Sequence, residues 1–261
     1  MSRRAIITGG SSGIGIALAR ELAKRGWDCA LLARRTDLVE QFANELRAGG
    51  VQACGVACDV TSLDDVRRAV AKARETLGGD FDLAVANAGI SVPTYADSFN
   101  VADAEQIIRT NLLGMFYLFE ATIPAMVARG SGRFAGIASI AGLRGLPSAS
   151  VYSASKAAMQ AFLEASRVEL APRGVGVTVV NPGWVRTPII EKYKGVLPFV
   201  VPVDKAARII ADGIESGARE IEFPWQVSLA MRLGRLMPNA LYDRIMRRYA
   251  KRKIDQEKVL R

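Results

Sequence analysis

Two hydrophobic periods alternate along the chain. Short apolar runs rich in Val, Ile, Leu and Ala at Arg4–Thr8, Cys29–Ala33, Ala53–Ala57, Leu83–Ala86, Phe134–Ala138 and Val175–Val180 predict strands. Between them, apolar residues fall at helical spacing in Gly13–Arg25, Asp37–Ala48, Ser62–Leu77, Val101–Ala128 and Val151–Leu170. Pro124 is expected to kink or shorten the end of the fourth helix, because it lacks a backbone N–H and crowds the preceding turn. Strict alternation of strand and helix requires right-handed crossovers. The expected fold class is therefore α/β: one doubly wound domain whose parallel sheet carries helices on both faces. No internal repeat, low-complexity segment or flexible linker interrupts the pattern.

Composition fits such a domain. Of 261 residues, 50% are apolar and 23% charged, enough to bury a core without disulfides or metal. No apolar run approaches the roughly 20 residues a bilayer span needs, and the basic start at Met1–Arg4 runs straight into a strand-like segment. An integral membrane protein and a cleaved secretory signal are therefore not expected. Cys29, Cys54 and Cys58 form no paired motif and sit among apolar neighbours, which points to reduced, buried thiols and a cytoplasmic protein. The chain has no histidine, so any proton chemistry must come from Tyr, Lys, Ser, Asp or Glu, and no metal site is expected. The net charge of +9 is concentrated late: residues 219–261 hold eleven Lys/Arg against five Asp/Glu. No nucleic-acid-binding module accompanies it.

The first strand runs directly into Thr8-Gly9-Gly10-Ser11-Ser12-Gly13-Ile14-Gly15, which opens a helix. Glycine permits a tight turn, close backbone approach to a pyrophosphate and close helix–strand packing. The helix start behind it presents free N–H groups and a favourable dipole to an anion. This strand–loop–helix context makes the domain Rossmann-type and points to dinucleotide binding through Gly9, Ser11, Ser12, Gly13, Ile14 and Gly15. An NAD site places a carboxylate about 20 residues further on, at the end of the second strand. Here Ala33 stands at that point, followed by Arg34 and Arg35. Without the carboxylate a ribose 2′-phosphate is not repelled, and a guanidinium can grip it, which favours NADP(H) over NAD(H). In the alternative, both arginines are a solvated strand end and Asp37 supplies the ribose contact.

Tyr152 and Lys156 lie four residues apart on a predicted helix and so share a face. A tyrosine titrates near about 10, and a cation within about 4–6 Å can lower that by roughly 1–3 units. The spacing recurs at Tyr249 and Lys253, which reads as part of a basic C-terminal helix. Company separates the two. Ser139 precedes Tyr152 by thirteen residues and follows a strand, and Asn111 sits inside a long helix where its propensity is poor. Asn87-Ala88-Gly89 and Asn181-Pro182-Gly183 close two further strands, and the C-terminal ends of parallel strands collect ligands.

With these motifs in order from Arg4 to about Phe223, the chain resembles the short-chain dehydrogenases/reductases of the common branch with about 250 residues. The matches are the Thr-Gly-x3-Gly-x-Gly loop at Thr8–Gly15, Asn-Ala-Gly at Asn87–Gly89 and Tyr-x3-Lys at Tyr152–Lys156. The resemblance implies that residues 1–223 form the dinucleotide-binding and catalytic domain; 224–261, less usual for the family, reads from its own residues as a basic amphipathic extension of that domain. The resemblance makes Tyr152 the proton donor in ketone reduction, and Lys156 the group that lowers the tyrosine pKa and holds the nicotinamide ribose. Ser139 would polarise the carbonyl, and Asn111 would order a water behind Lys156. Asp59 and Val60 would meet the adenine, Asn87, Ala88 and Gly89 the cofactor ribose, and Pro182, Gly183, Val185 and Thr187 the carboxamide. It also implies a homodimer or homotetramer.

The stretch from Trp184 to Pro202 is apolar, and the resemblance makes it the family's substrate loop, fitting a hydrophobic ketone or alcohol such as a steroid, acyl or lipid-like molecule; alternatively these side chains simply cover the core. Beyond Pro224, Leu229, Leu233, Leu236 and Met237 fall at helical spacing, as do Leu241 and Ile245, with a break at Pro238. Arg232, Arg235, Arg244, Arg247, Arg248, Lys251, Arg252 and Lys253 crowd the same segments. Apolar anchors flanked by cations can lie in an anionic membrane surface, or pack on the protein's own body or a partner subunit. Two other functions stay open: a dinucleotide-sensing binding protein, and a membrane-surface adaptor working through the basic segment.

Overall fold

A computed structural model describes residues 2–191 and 197–247. Seven strands, β1 (Arg3–Thr8), β2 (Trp27–Ala33), β3 (Ala53–Ala57), β4 (Leu83–Ala86), β5 (Gly132–Ile137), β6 (Val175–Pro182) and β7 (Glu220–Phe223), form one sheet in the order β3-β2-β1-β4-β5-β6-β7. Every neighbouring pair is parallel. All seven residues of β2 and all four of β4 are buried, as strands covered on both faces require. The helices are α1 (Gly13–Lys24), α2 (Thr36–Ala48), α3 (Leu63–Thr76), α4 (Val101–Ile108), α5 (Gly114–Arg129), α6 (Ser150–Leu170), α7 (Pro188–Glu191), α8 (Val203–Glu215) and α9 (Trp225–Leu236). Residues 239–247 are helical as well.

The sheet divides the core in two. On one face Leu18 and Leu22 of α1, Val39 of α2 and Ile210 of α8 meet Ile7, Leu31 and Val85. On the other, Val66 of α3, Met115 and Leu118 of α5 and Leu163 of α6 meet Ile6, Leu32 and Phe134. Alternate residues of each strand serve opposite faces, as the pleat dictates. Each of these large side chains contributes roughly 1.5–3 kcal/mol by leaving water.

The six strands and five helices expected from the pattern are present, with three differences. Pro124 neither ends nor shortens its helix, since α5 continues to Arg129. The interruption falls earlier, at a π-helical turn over Arg109–Leu113 that separates α4 from α5. Second, helix α8 and strand β7 follow the predicted elements, and β7 extends the sheet. Third, the stretch Val101–Arg129 is long and apolar enough by length and composition to cross a membrane. Here its Met115, Leu118, Ile123 and Met126 are buried against the sheet, so the apolar length fills core. The cysteines are free and buried as expected. Burial pushes the thiols of Cys29 and Cys58 to about 12 and that of Cys54 to about 11, leaving them protonated and inert at neutral pH.

Candidate active site at the carboxyl edge of the sheet

Strand order reverses between β1 and β4, so the chain leaves these two neighbours toward opposite faces and opens a crevice at their carboxyl ends. The glycine loop lines it from β1 and Asn87 from β4. Thr8 ties the two: its Oγ1 accepts hydrogen bonds from the N–H groups of Asn87 (3.1 Å) and Ala88 (3.2 Å). The Asn87 amide donates in return to the Thr8 carbonyl at 3.0 Å. Gly9 has φ +68°, a conformation that side chains disfavour, and a Cβ there would sit 2.9 Å from Ala88 Cα. At Gly15 a Cβ would lie 2.4 Å from the Gly9 carbonyl oxygen, so only glycine lets the first turn of α1 close under the loop. Ser12, the N-cap of α1, makes no side-chain cap, so the first-turn N–H groups remain available to an anion. The residues present thus fit a dinucleotide pyrophosphate.

Arg35 leans back onto the loop. Its guanidinium donates to Ser11 Oγ at 2.9 Å and to the Ser11 carbonyl at 3.2 Å. Arg34 is exposed beside it, close enough to help hold the Asp59 carboxyl below its usual range, after the larger effect of the Thr61 hydrogen bonds. Asp59 Oδ1 accepts from the Thr61 N–H (3.0 Å) and hydroxyl (2.8 Å), a local turn, and Val60 is buried.

The second half of the site gathers around α6. Ser139 follows β5 and caps a 3₁₀ turn, accepting from the Ala141 N–H at 3.1 Å and donating to the Pro182 carbonyl at 3.3 Å. Its hydroxyl lies near enough to that of Tyr152 to pull the phenol's pKa down. Tyr152 is half-buried, and Lys156 on the same face of α6 is buried, its Nζ 5.7 Å from the centre of the tyrosine ring. Lys156 Nζ donates to the Ile137 carbonyl at 2.7 Å. Asn111 lies in the π-helical turn, 1% exposed. Its Oδ1 accepts from Ile90 N–H (2.8 Å), and its Nδ2 donates to the Ile90 carbonyl (3.0 Å) and Ser155 Oγ (3.1 Å). Such a turn widens the helix by one residue and turns a side chain inward that a regular helix would place elsewhere. Gly89 bridges this group to the crevice, since a Cβ there would come within 3.3 Å of Asn111 Oδ1 and 3.6 Å of Lys156 Nζ.

Burial reverses one expectation. Desolvation pushes the Tyr152 phenol above 10, with the Ser139 hydrogen bond pulling it only partly back, and it pulls Lys156 down to about 7. Lys156 is buried and Tyr152 half-buried, and losing water costs each charged form more than the other offers. Within the protein's own surroundings Lys156 therefore does not lower the tyrosine pKa.

The segment after β6 closes the site. Gly183 N–H donates to the Phe223 carbonyl at 2.7 Å, Val185 pairs with Val201, and Thr187 is packed so near the loop that a Cβ on Gly13 would lie 3.2 Å from its methyl. Residues 192–196 of the apolar loop lie outside the described residues, as do Arg248, Lys251, Arg252 and the second spacing at Tyr249 and Lys253. Among the described residues no cluster of three or more Cys, Asp or Glu could hold a metal ion.

Two supporting residues escape the motif reading. Thr8 is part of the loop pattern but acts through its side chain. Gln160, one turn beyond Lys156, donates to the Ser139 carbonyl and to Asn181 Oδ1, each at 2.8 Å, and fixes the serine to β6. Its i+4 spacing from Lys156 was the available signal. A separate cavity of about 520 Å³ lies between Ser153 and Ala157 of α6, Pro147, and Tyr242 and Met246 of the last helix; neither Ser139 nor Tyr152 lines it.

A doubly wound sheet with a glycine loop at its switch point and a Ser, Tyr and Lys group alongside defines a dinucleotide-type oxidoreductase fold. The sequence profile described as short chain dehydrogenase matches residues 3–195, and the chain belongs to that family of oxidoreductases. It is 37% identical over 246 residues to an uncharacterized oxidoreductase of Myxococcus xanthus, covering 94% of this chain and 97% of the relative. An alcohol dehydrogenase from Thermococcus sibiricus, solved with 5-hydroxy-NADP, superposes with a TM-score of 0.78 at 28% identity, over 85% of this chain and 96% of that one. An actinorhodin polyketide ketoreductase solved with NADPH gives 0.76 at 30% identity, over 85% and 95%.

Proposed function

We propose that the protein is an NADP(H)-dependent oxidoreductase that interconverts a ketone and a secondary alcohol, working as the reductase of a hydrophobic carbonyl compound. The observation that carries this reading is Tyr152, placed next to the Ser139 hydroxyl and beside buried Lys156 at the carboxyl edge of the sheet. When bound, the nicotinamide supplies hydride to the carbonyl carbon. The protein's part is to hold the carbonyl oxygen between the Ser139 and Tyr152 hydroxyls and to deliver a proton to it from Tyr152 Oη. A phenol kept above 10 holds that proton at neutral pH, which suits the reducing direction. Asn111, held between Ile90 and Ser155, keeps the floor behind Lys156 polar, where it would order a water for proton return. Exposed Ile189 and Phe199 in the segment after β6 favour an apolar substrate.

The preference for NADP(H) rests on Ala33, which leaves no carboxylate at the end of β2, and on Arg34 and Arg35 beside the glycine loop. Arg35→Ala should raise the KM for NADPH about 10–100-fold, the worth of one or two charge-assisted hydrogen bonds, and leave that for NADH nearly unchanged. Equal effects on both cofactors would show that Arg35 only braces Ser11. The overall reading is tested by following NADPH oxidation with paired short-chain and bulky ketones. Turnover of the bulky set with NADPH supports it, and a preference for NADH would remove the 2′-phosphate assignment.

A further inference from the structure

We propose that the C-terminal helices, α9 with the helix over 239–247, form a docking surface for an anionic lipid bilayer. On α9, Trp225, Leu229, Leu233 and Leu236 recur at intervals of four, four and three residues, which places them on one face of the helix. They are 69%, 49%, 58% and 82% exposed. Leu241 and Ile245 continue the pattern on the next helix, each about half exposed. The protein's own body leaves about half or more of each of these side chains uncovered. Toward the body α9 turns Ser228, buried, while exposed Arg232 is paired with Glu220 and Glu222 of β7 at 2.9 Å each.

The two helices are held as a unit. The Arg144 guanidinium donates to the carbonyls of Gly234 and Met237 at the end of α9 and to Asn239 Oδ1, and it stacks 3.9 Å from the centre of the Tyr242 ring. Tyr242 hydrogen-bonds back to the Gly145 carbonyl. Arg144 belongs to the loop that begins at Ser139, so the apolar face is fixed rigidly to one wall of the catalytic site.

Charge decides the occupant. Arg235, Arg244 and Arg247 are exposed on these helices against one exposed carboxylate, Asp243. Beyond Pro224 the sequence carries ten Lys/Arg and three Asp/Glu. A second copy of the chain seated on this face would bring like charges together at the rim. An acidic headgroup layer meets them with opposite charge while its acyl boundary takes up the leucines, and a tryptophan at the start of such a helix suits the interfacial depth. α9 leaves the carboxyl end of β7, and the loop bearing Ile189 and Phe199 leaves that of β6, its neighbour. Docking therefore turns the mouth of the cleft toward the membrane.

The test is co-sedimentation of the full chain with vesicles of phosphatidylcholine alone or with about one-third phosphatidylglycerol, read together with tryptophan emission. The expected result is binding to the anionic vesicles with a blue shift that Trp225→Phe removes, and release at about 0.5 M salt. Leu229→Glu with Leu233→Glu, and separately Arg235→Glu with Arg244→Glu, should each lower the bound fraction at least about 10-fold. Both pairs are exposed, and NADPH affinity should stay within about twofold in each as a check on folding. Sedimentation with neither vesicle type overturns the proposal. So does a wild-type chain that ignores vesicles but whose solution mass by light scattering halves in the leucine pair, because the face then joins two copies of the chain.

Discussion

Tyr152→Phe should lower kcat for ketone reduction by about 10²–10⁴-fold, the usual worth of a positioned general acid, while NADPH affinity changes by less than about threefold. The substitution removes one hydroxyl and keeps the ring, so the packing at the start of α6 survives. On the proposed mechanism, what disappears is the proton source and one of the two hydroxyls that would grip the carbonyl oxygen, leaving Ser139 alone. The direction of the pH dependence follows from burial. Because desolvation holds the phenol above 10, reduction loses no rate to tyrosine ionisation across the neutral range. Alcohol oxidation needs the phenolate, and its rate should climb with pH throughout that range. Steady-state rates in both directions from pH 6 to about pH 10 check this, and a Phe variant that keeps more than about a tenth of the rate would assign the proton to another group.

Lys156→Met should abolish activity and at the same time stabilise the fold at pH 7. The lysine is 4% exposed, and burial draws its pKa from 10.5 to about 7. In the unfolded chain it titrates near its ordinary value. Between about 7 and 10.5 the unfolded chain therefore binds the proton that the folded one has lost, and stability rises with pH across that window. Below about 7 both forms are protonated and the full cost of burying the ammonium is present. The drop from 10.5 to about 7 corresponds to about 4 kcal/mol at pH 7, where the folded group is half protonated. Against this, the variant leaves the Ile137 carbonyl without the donor at 2.7 Å, a cost of about 1–3 kcal/mol. The desolvation effect is the larger, so methionine should gain about 1–3 kcal/mol at pH 7 and lose that advantage by about pH 10. Urea unfolding at both pH values measures it. A variant less stable at pH 7, with the same pH slope as wild type, would show that the protein compensates the ammonium charge.

That a destabilising residue occupies this position is consistent with its serving the site rather than the core. The same holds for Asn111. A polar side chain buried in the middle of a 29-residue helical stretch is tolerated because its Oδ1 and Nδ2 find Ile90 and Ser155.

The sequence by itself determined the architecture and the chemical inventory. Hydrophobic runs of period 2 and 3.6 are local, and strand–helix alternation leaves a parallel sheet as the way to bury both kinds of apolar surface. Glycine spacing after β1 was legible because the close contacts at Gly9 and Gly15 forbid any side chain. The lack of histidine narrowed proton chemistry to Tyr, Lys, Ser, Asp or Glu, and the order of the motifs, through the family resemblance, singled out Tyr152 and Lys156 as the proposed pair. Tertiary structure decided what depends on neighbours distant in the chain. The π-helical turn around Asn111, and the passage of α5 through Pro124, reflect packing that outweighs local propensity. The sign of the Tyr152 and Lys156 shifts depends on how much water each loses, which spacing along α6 does not encode. The leucines of α9 read in sequence as equally fit for core or surface; only the folded chain, in which β7 and α8 complete the sheet without them, leaves them facing outward.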